Sequence, residues 1–389
     1  MSASLGPRFQ AVLASAWISK REAAKYVQEY VKRVQKADPK ATADPLPFAP
    51  PIQVQVLDIA PHAAYEPLDA INGGEDSLFH VRNKQNLSFG VSDGVGGWNE
   101  SGIDPSIFSR TLTAYSTSIA QEAFLLHDSD EIDPRDIIRR AFAGMRMDSV
   151  PAYGSATALA MNLSLASGRL RTAQLGDSTY AILDSKQQAR FVSAEQQHRF
   201  NMPFQLTIPP LNDEKTEAGG SPFYRPRTRD DEMRRLIDED EFADLAAVGF
   251  DTPLDARSDA HTMHHGDVVV AATDGLFDNV RVDEVEKLAE RFMQAIHKTT
   301  ATALPPGSED ARPVAVADLF GGLAYSVAAQ AVANYIQDDL RSPFAERAKL
   351  AGYSFTGGKP DDVTVMLAWV RETAKVEAEE KIATMSAKL

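Results

Sequence analysis

Residues 87–98 read LSFGVSDGVGGW, a short apolar stretch that ends in an aspartate and then in a run of glycines. The apolar pattern at Leu87–Ser92 predicts a strand, and Asp93 follows it directly. A glycine beside Asp93 lets the backbone turn sharply and brings a carbonyl oxygen close to whatever the carboxylate holds. This stretch therefore places a carboxylate at the rim of a core.

Four more acidic motifs lie in turns at strand ends, several of them beside glycine. They are Glu75–Asp76 in NGGEDS, Asp177 in LGDST, Asp274 in AATDGLFDN and Asp361–Asp362 in GKPDDVT. Carboxylates that converge at one rim cannot all be ionised unless cations neutralise them. Oxygen ligands without His or Cys suit Mg²⁺ or Mn²⁺ rather than Zn²⁺. A single Asp-Gly turn is common and indicates little, whereas the joint order of the five motifs is more specific.

The apolar patterns around these motifs predict strands in antiparallel runs and helices in pairs, without strict βαβα alternation. The predicted strands are Ile52–Ile59, Leu87–Ser92, Thr157–Leu165, Leu170–Leu175, Thr179–Leu183, Ala189–Val192, Asp267–Ala272 and Val363–Val370. The predicted helices are Pro105–His127, Pro134–Asp148, Val282–His297, Val314–Asp338 and Pro343–Leu350. This order predicts an α+β fold, a central antiparallel β-sandwich flanked by helix layers.

Composition excludes several classes of function. The chain has 389 residues, no cysteine and a net charge of −15. Without cysteine there is no disulfide framework, thiolate metal site or cysteine nucleophile. A net charge of this sign argues against a general grip on nucleic acid, which needs a basic face. No apolar run approaches the ~20 residues that span a bilayer.

The N-terminal 21 residues carry Arg8, Lys20 and Arg21, four serines and no acidic residue. This composition is typical of a mitochondrial transit peptide. Apolar residues at helical spacing also predict an N-terminal helix, and the two interpretations are compatible. Pro39–Pro51 reads as a linker, so residues 1–51 are expected to be a targeting or helical segment and linker.

A folded domain is then expected over residues 52–371, with a C-terminal helical tail over 372–389. Residues 212–241 are polar and highly charged and predict an insertion, and residues 299–312 predict a second one. The location expected from the N-terminal composition is the mitochondrial matrix, with the cytoplasm as the alternative.

The joint order GED, DGVGGW, GSATA with GDS, ATDG and PDDVT resembles the motif series of the PP2C-type (PPM) metal-dependent protein serine/threonine phosphatases. The resemblance runs from about Ile52 to Val370. The spellings DGVGGW, DPSIFS and EQQHRFNMPFQL are similar to the mitochondrial PTC7 branch of that family. The resemblance implies the family's β-sandwich, phosphoprotein substrates, and hydrolysis of phosphoserine or phosphothreonine by two-metal activation of water.

The resemblance also implies a role for the central carboxylates. In the family the aspartate of the DG pair bridges two metals, which assigns that role to Asp93, with the Gly94 carbonyl on one metal. Asp274 and Asp361 match the ligands of the other metal. The catalytic set implied is therefore Asp93, Asp274 and Asp361, with two Mn²⁺ or Mg²⁺ ions as cofactors.

Three further acidic residues match outer positions of the family's metal centre. Asp76 is expected in or next to the ligand shell, and Glu75 is expected to hold a metal-bound water. Asp177 matches the position that helps to hold a third, more weakly bound cation.

Two positions depart from the better-known members of the family. Val95 stands where those members have a His proposed to protonate the leaving oxygen, and Ile71 stands where many have an Arg that holds the substrate phosphate. Arg82 and Lys84 lie nearby in sequence. The sequence leaves open which groups take over these two roles.

Other polar features are assigned structural roles. His261, His264 and His265 are expected in a surface loop, with metal ligation as the alternative. Ser155 has no GxSxG elbow and is expected to be a core strand residue. The glycines after Asp93 do not follow a dinucleotide or P-loop pattern, so no nucleotide cofactor is implied.

The remaining expectations are for packing. Trp98 and Phe108 are expected in the core, and Asp278 and Asn279 are expected to shape the turn after Asp274. Two other functions stay open from the sequence: hydrolysis of small phosphate esters, and a non-catalytic scaffold with the same fold. The sequence does not indicate an oligomeric state.

Overall fold

The structure, a computed structural model, describes residues 7–37, 48–59, 73–210, 245–247, 249–301 and 316–378. The chain forms two compact units. Unit 1 comprises Met1–Ala63, Tyr180–Ser193 and Met263–Leu389, and unit 2 comprises Ala64–Thr179 and Ala194–Thr262. The predicted insertion at 212–241 lies outside the described residues, as does the end of the C-terminal tail. Of the insertion predicted at 299–312, residues 299–301 are the end of a helix and the rest lies outside the described residues.

In chain order the strands are β1 (Phe9–Ile18), β2 (Gln53–Ile59), β3 (Asp76–Arg82), β4 (Asn86–Asp93), β5 (Gly154–Ala156), β6 (Ala158–Ser164), β7 (Arg169–Leu175), β8 (Thr179–Leu183), β9 (Ala189–Val192), β10 (Gln197–Arg199), β11 (Met202–Pro203), β12 (Leu206–Ile208), β13 (Arg257–Thr262), β14 (Val268–Ala272) and β15 (Val363–Glu372). The helices are α1 (Lys20–Ala37), α2 (Pro105–Leu126), α3 (Pro134–Met147), α4 (Asp274–Phe277), α5 (Val282–Ala301), α6 (Val316–Tyr335) and α7 (Pro343–Leu350), and residues 245–247 and 373–378 are also helical. The predicted α+β class is confirmed.

Unit 1 contains a six-stranded sheet in the order β2-β1-β15-β14-β8-β9. Strand β15 lies between β1 and β14 and pairs antiparallel with both. Its residues 363–370 are buried, which agrees with the almost purely apolar sequence VTVMLAWV. A strand buried on both faces reads as a continuous apolar run rather than an alternating one.

Strand β1 corrects the expectation for the N-terminal segment. The prediction of a helix through residues 9–18 is wrong, because these residues pair antiparallel with β15 and with β2. The sheet of unit 1 therefore begins well before Ile52, where the folded domain was predicted to start. The run FQAVLASAWI is buried almost throughout, a pattern that suits an inner strand and exceeds the single stripe that a helix buries.

The N-terminal helix α1 begins at Lys20 and not earlier. Ser19 caps it: its hydroxyl accepts from the Glu22 backbone N–H at 3.2 Å and donates to the Glu22 carboxylate at 3.0 Å. The Ser19 hydroxyl thus satisfies a backbone N–H in the first turn of the helix. The Lys20 backbone N–H donates to Asp362 Oδ1 at 2.6 Å, so the start of α1 is tied to the loop before β15.

Helix α6 packs against β1, β2 and β15, and α5 packs against α6. By length and composition α6 could cross a membrane. Its buried side chains, among them Phe320, Leu323 and Val327, belong to the same core as Val12 and Val365. It therefore serves as a core helix of unit 1.

Unit 2 contains a five-stranded sheet in the order β13-β7-β6-β4-β3, paired antiparallel throughout. Helix α2 packs on β3 and β4, and α3 packs on α2, β6 and β7. Asp104 and Asp133 cap α2 and α3 through their side chains, and each is followed by proline at the first helical position. Phe108 is fully buried on α2, which confirms its assignment to the core.

Candidate functional site

Two acidic motifs of unit 1 meet at one edge of the six-stranded sheet. Strand β14 ends just before Asp274 and β15 begins just after Asp361, and the two strands are antiparallel neighbours. The Thr273 N–H donates to the Thr364 carbonyl at 3.1 Å, and the Thr364 N–H donates to Thr273 Oγ1 at 3.1 Å. The register of the sheet therefore brings Asp274 and Asp361 together although 86 residues separate them in sequence.

A third carboxylate, Asp278, joins this pair. Oxygen atoms of Asp274, Asp278 and Asp361 lie within 4.8 Å of one another. Asp278 follows Asp274 by four residues at the end of α4, where a single helical turn places both side chains on one face. Its side chain is only 5% exposed, and Arg347 donates to it. From the sequence alone Asp278 is expected to shape the turn after Asp274, and that expectation misses its place in this cluster.

Lys359 lies among the three carboxylates. Its Nζ is 2.5 Å from Asp274 Oδ2, 2.6 Å from Asp278 Oδ2 and 3.0 Å from Asp361 Oδ2. Lys359 is not among the residues predicted from the sequence. Its position in GKPDDVT, two residues before a predicted ligand, is a weak signal, because a lysine in a turn is usually solvated.

Burial and neighbouring charges shift the pKa values of these groups. Burial and then Asp274 raise the pKa of Asp361 to about 6, against the lowering effect of Lys359. Burial also raises the pKa of Asp278, to about 7, although Lys359 and Arg347 act against it. Burial lowers the pKa of Lys359, but the three carboxylates outweigh it, so the lysine stays charged. Three carboxylates therefore lie beside two cationic groups, Lys359 and Arg347.

The cluster has the chemistry of a site for a hard divalent cation. Its donors are carboxylate oxygens without sulfur or imidazole, the set that Mg²⁺ and Mn²⁺ prefer. Added positive charge would stabilise the ionised forms of Asp278 and Asp361, whose pKa values are raised. The residues present therefore fit such a cation.

Unit 2 brings the other predicted residues together at the start of β3 and the end of β4. Asp76 lies directly opposite Asp93 in the antiparallel pair. The Gly94 N–H donates to the Glu75 carbonyl at 3.1 Å, and Asn99 Nδ2 donates to Glu75 Oε1 at 2.6 Å. The Glu75 carboxylate lies over the glycine loop, since a Cβ at Gly96 would meet Glu75 Oε2 at 2.7 Å.

Ser178, the residue after Asp177, is linked to the Asp93 backbone through two hydroxyl groups, its own and that of Thr157. The Asp93 N–H donates to Thr157 Oγ1 at 3.1 Å, and Thr157 Oγ1 is hydrogen-bonded to Ser178 Oγ at 2.7 Å. The Asp177 side chain is buried and accepts from Gln197 Nε2 at 3.2 Å. The GSATA and GDS motifs therefore fix the backbone around both aspartates.

The structure thus groups the predicted ligands within each unit. Asp274 and Asp361 lie together in unit 1, and Glu75, Asp76, Asp93 and Gly94 lie together in unit 2. Their assignment to one metal centre stays a prediction.

Several secondary expectations are resolved. Ser155 is a fully buried strand residue, as predicted, and its hydroxyl accepts from Trp98 Nε1 at 2.7 Å. Trp98 itself is only partly buried, so its assignment to the core holds in part. Arg82 and Lys84 lie at the far end of β3 from Asp76, roughly 20 Å away along a strand of this length.

The histidines have separate environments. His261 lies on β13, where it pairs with Leu170. His264 Nδ1 is 3.6 Å from Asp267, and His265 Nδ1 accepts from the Glu372 N–H at 3.1 Å. Among the described residues, the three histidines do not form a metal-binding group.

Comparison with known proteins gives a consistent result. A family model described as protein phosphatase 2C matches residues 73–309. The chain is 33% identical to a protein phosphatase PTC7 homolog of Xenopus laevis over 303 residues, which are 77% of this chain and 82% of that protein. It is 32% identical to a PTC7 homolog of Homo sapiens, over 77% of this chain and 80% of that protein. A solved structure, the photosystem II phosphatase PBCP, is 25% identical with a TM-score of 0.52 and covers 77% of this chain and 93% of its own.

Proposed function

Since the chain belongs to the protein phosphatase 2C family and is a protein serine/threonine phosphatase, we propose that it dephosphorylates phosphoserine and phosphothreonine in proteins with two divalent cations, Mn²⁺ or Mg²⁺. The observation that carries this proposal is the convergence of Asp274 and Asp361 from two sequence-distant motifs. Such a cluster of carboxylates has the donor set of a hard cation, as described above.

When bound, two such cations supply the Lewis acidity that activates water and neutralises the phosphoryl oxygens. We assign Asp93 and the Gly94 carbonyl, together with Asp274 and Asp361, to hold them. Direct attack by water needs no covalent enzyme intermediate, which is compatible with a chain that has no cysteine.

The outer residues position the reactants. Asn99 fixes the Glu75 carboxylate through a 2.6 Å hydrogen bond, and we assign Glu75 to the orientation of water. Asp76 lies opposite Asp93 and supports its placement. We assign Asp177 to a third, weaker cation. The Val95 side chain has no ionisable proton, so the leaving oxygen takes its proton from another group.

The test is hydrolysis by purified protein of an aryl phosphate and of a phosphopeptide set, with Mn²⁺, Mg²⁺ or EDTA. We expect turnover with either cation and none in EDTA. Asp274→Asn should reduce turnover by several orders of magnitude, as expected when a two-metal site is dismantled. Asp339→Asn removes an exposed carboxylate outside the cluster and should leave turnover unchanged.

Each contrary outcome has a distinct meaning. Full activity in EDTA would contradict the metal-dependent mechanism. Turnover of small phosphate esters without turnover of any phosphopeptide would contradict the substrate class. A protein that binds Mn²⁺ and hydrolyses nothing would be a non-catalytic scaffold.

We also propose a mitochondrial location, supported by the basic, serine-containing composition of residues 1–21 and by the similarity to the PTC7 branch. A fluorescent protein fused to residues 1–40 should enter mitochondria, and replacement of Arg8, Lys20 and Arg21 by Glu should abolish import. A reporter that stays in the cytosol would contradict the proposal. Cleavage beyond Phe9 would remove part of β1, so import should leave that strand intact.

A further inference from the structure

The loop before β15 directs one lysine into the acidic cluster. Lys359 Nζ contacts carboxylate oxygens of Asp274, Asp278 and Asp361 at 2.5, 2.6 and 3.0 Å. The ammonium also lies 5.0 Å from the centre of the Phe344 ring, within the range of a cation–π contact. Its side chain is 17% exposed, so its charge is largely removed from bulk water.

The backbone of Lys359 is fixed by a single asparagine. The Lys359 N–H donates to Asn279 Oδ1 at 2.8 Å, and Asn279 Nδ2 donates to the Lys359 carbonyl at 2.9 Å. Asn279 is itself held in place, because Asn334 Nδ2 donates to the backbone carbonyl of Asn279 at 2.8 Å. The lysine side chain therefore extends from a fixed point, and its place in the cluster follows from the fold.

Lys359 contacts the same two carboxylates that are assigned to the cation. The oxygens of Asp274 and Asp361 nearest to the ammonium belong to the two carboxylates that would coordinate the cation. An ammonium and a divalent ion a few Å apart repel each other strongly in a partly dehydrated site. A divalent ion on either oxygen of these carboxylates lies close to the ammonium, so the lysine and the ion compete for Asp274 and Asp361 through repulsion.

Asp278 offers the lysine a partner that it can keep. Its carboxylate contacts both Lys359 and Arg347, and it is the most buried of the three acids. A long, flexible lysine side chain can leave Asp274 and Asp361 while it stays on Asp278.

From these contacts we propose that Lys359 is a tethered cation that neutralises Asp274 and Asp361 in the metal-free protein and competes with the divalent ion for them. The proposal rests on the assignment of these two residues as metal ligands. Lys359 is then a positioning residue that weakens the metal affinity of the site and stabilises the unloaded protein. Protein without its metal would keep a folded site, and occupancy would follow the metal concentration.

Calorimetric titration with MnCl₂ tests this on full-length protein stripped with EDTA, alongside thermal unfolding in EDTA. Lys359→Met keeps the apolar stem and removes the charge. It should bind Mn²⁺ at least tenfold more tightly than the wild type, and it should melt at a lower temperature without metal. Lys349→Met, which changes an exposed lysine on α7, should alter neither property.

The two readouts must move in opposite directions, which a purely structural lysine would not produce. Unchanged or weaker Mn²⁺ binding by a folded Lys359→Met protein overturns the proposal. Lys359→Gln keeps hydrogen-bonding capacity without charge and decides the question by the same criterion if the methionine variant does not fold. A wild-type protein that binds no Mn²⁺ overturns the proposed function as well, whereas wild-type binding without tightening in the variant overturns only the role of Lys359.

Discussion

Gly275→Ala is the substitution that the geometry of the acidic cluster makes most informative. Gly275 follows Asp274, and its backbone lies against the loop that carries Asp361 and Asp362. A Cβ atom at Gly275 would lie 1.9 Å from the Asp362 carbonyl oxygen, 3.0 Å from its carbonyl carbon and 3.3 Å from Asp361 Cβ. The contact is with backbone, so a side-chain rotation cannot relieve it.

The size of the effect follows from these distances. The oxygen must move from 1.9 Å to beyond 3.0 Å, a displacement of more than 1 Å between the two loops. The hydrogen bonds between Thr273 and Thr364 resist that movement. Overpacking of this kind costs about 1–3 kcal/mol of folding stability. Because the displacement separates Asp274 from Asp361, Mn²⁺ affinity should fall at least tenfold, which corresponds to about 1.4 kcal/mol.

The assay is urea unfolding in EDTA together with calorimetric Mn²⁺ titration. Gly97→Ala is the matched control, because Gly97 follows the other DG motif and a Cβ there would meet nothing within 4 Å. The control should stay within about 0.5 kcal/mol of the wild type, as surface changes usually do. A Gly275→Ala protein with wild-type stability and wild-type Mn²⁺ affinity would refute the reasoning that this close approach holds the cluster together.

Three further predictions concern other parts of the chain. Asp177→Ala should lower kcat with little change in KM, the mark of an interaction made mainly in the transition state; a lower melting temperature with an unchanged kcat would instead make Asp177 a plain turn residue. Burial, and then Arg82, lower the pKa of His80 from 6.5 to about 4. As the pH falls below 6.5, His80 is therefore protonated in the unfolded chain before it is protonated in the folded protein. The free energy of unfolding should fall by up to about 3 kcal/mol between pH 6.5 and 4. Urea unfolding across that range should show a flatter dependence for a folded His80→Gln protein, and an equally steep one would contradict the assignment. Ile18→Ala in the buried strand β1 should cost about 2–5 kcal/mol in urea unfolding, whereas Val54→Ala at a 40% exposed position should cost far less; equal costs would contradict the role of β1 in the core.

The parts of the fold that were predicted well depend on local signals. Helices α2, α3 and α7 each begin at a proline that follows a capping side chain, Asp104, Asp133 or Ser342. The cap and the proline are adjacent in sequence, so the pattern alone sets where each helix begins. Strand β15 was predicted for a similar reason, because its first eight residues, VTVMLAWV, form a nearly continuous apolar run in the sequence, and all eight are buried.

The N-terminal strand could not be predicted in this way. Residues 9–18 are rich in Ala and small residues whose spacing also fits a helix. What makes them a strand is pairing with β15, in which Phe9 lies opposite Glu372 and Ile18 opposite Val363. A partner about 350 residues away leaves no local mark, and tertiary pairing overrides propensity.

The site shows the same division. Asp274 and Asp361 were found because each follows or precedes an apolar strand beside a glycine or proline turn. Asp278 was interpreted as a turn residue, although its spacing from Asp274 places both on one face of a helical turn and could have revealed it. The position of the Lys359 side chain depends on the register of β14 against β15, on the hydrogen bonds to Asn279 and on the loop conformation. No short sequence pattern indicates that position.

Gly275, Asn279 and Lys359 together allow three like charges to come close to one another before a metal binds. Three carboxylates within 4.8 Å repel one another, and the repulsion opposes folding unless it is offset before a metal arrives. Gly275 permits the close approach of the two loops, Asn279 fixes the incoming strand segment, and Lys359 supplies charge of the opposite sign. Lys359 thus allows the carboxylates to come together when the chain folds, before a metal binds. The same lysine competes with the metal, so the site binds the metal more weakly than it would without the lysine. An apolar side chain at position 359 should therefore raise the metal affinity and lower the stability of the metal-free protein.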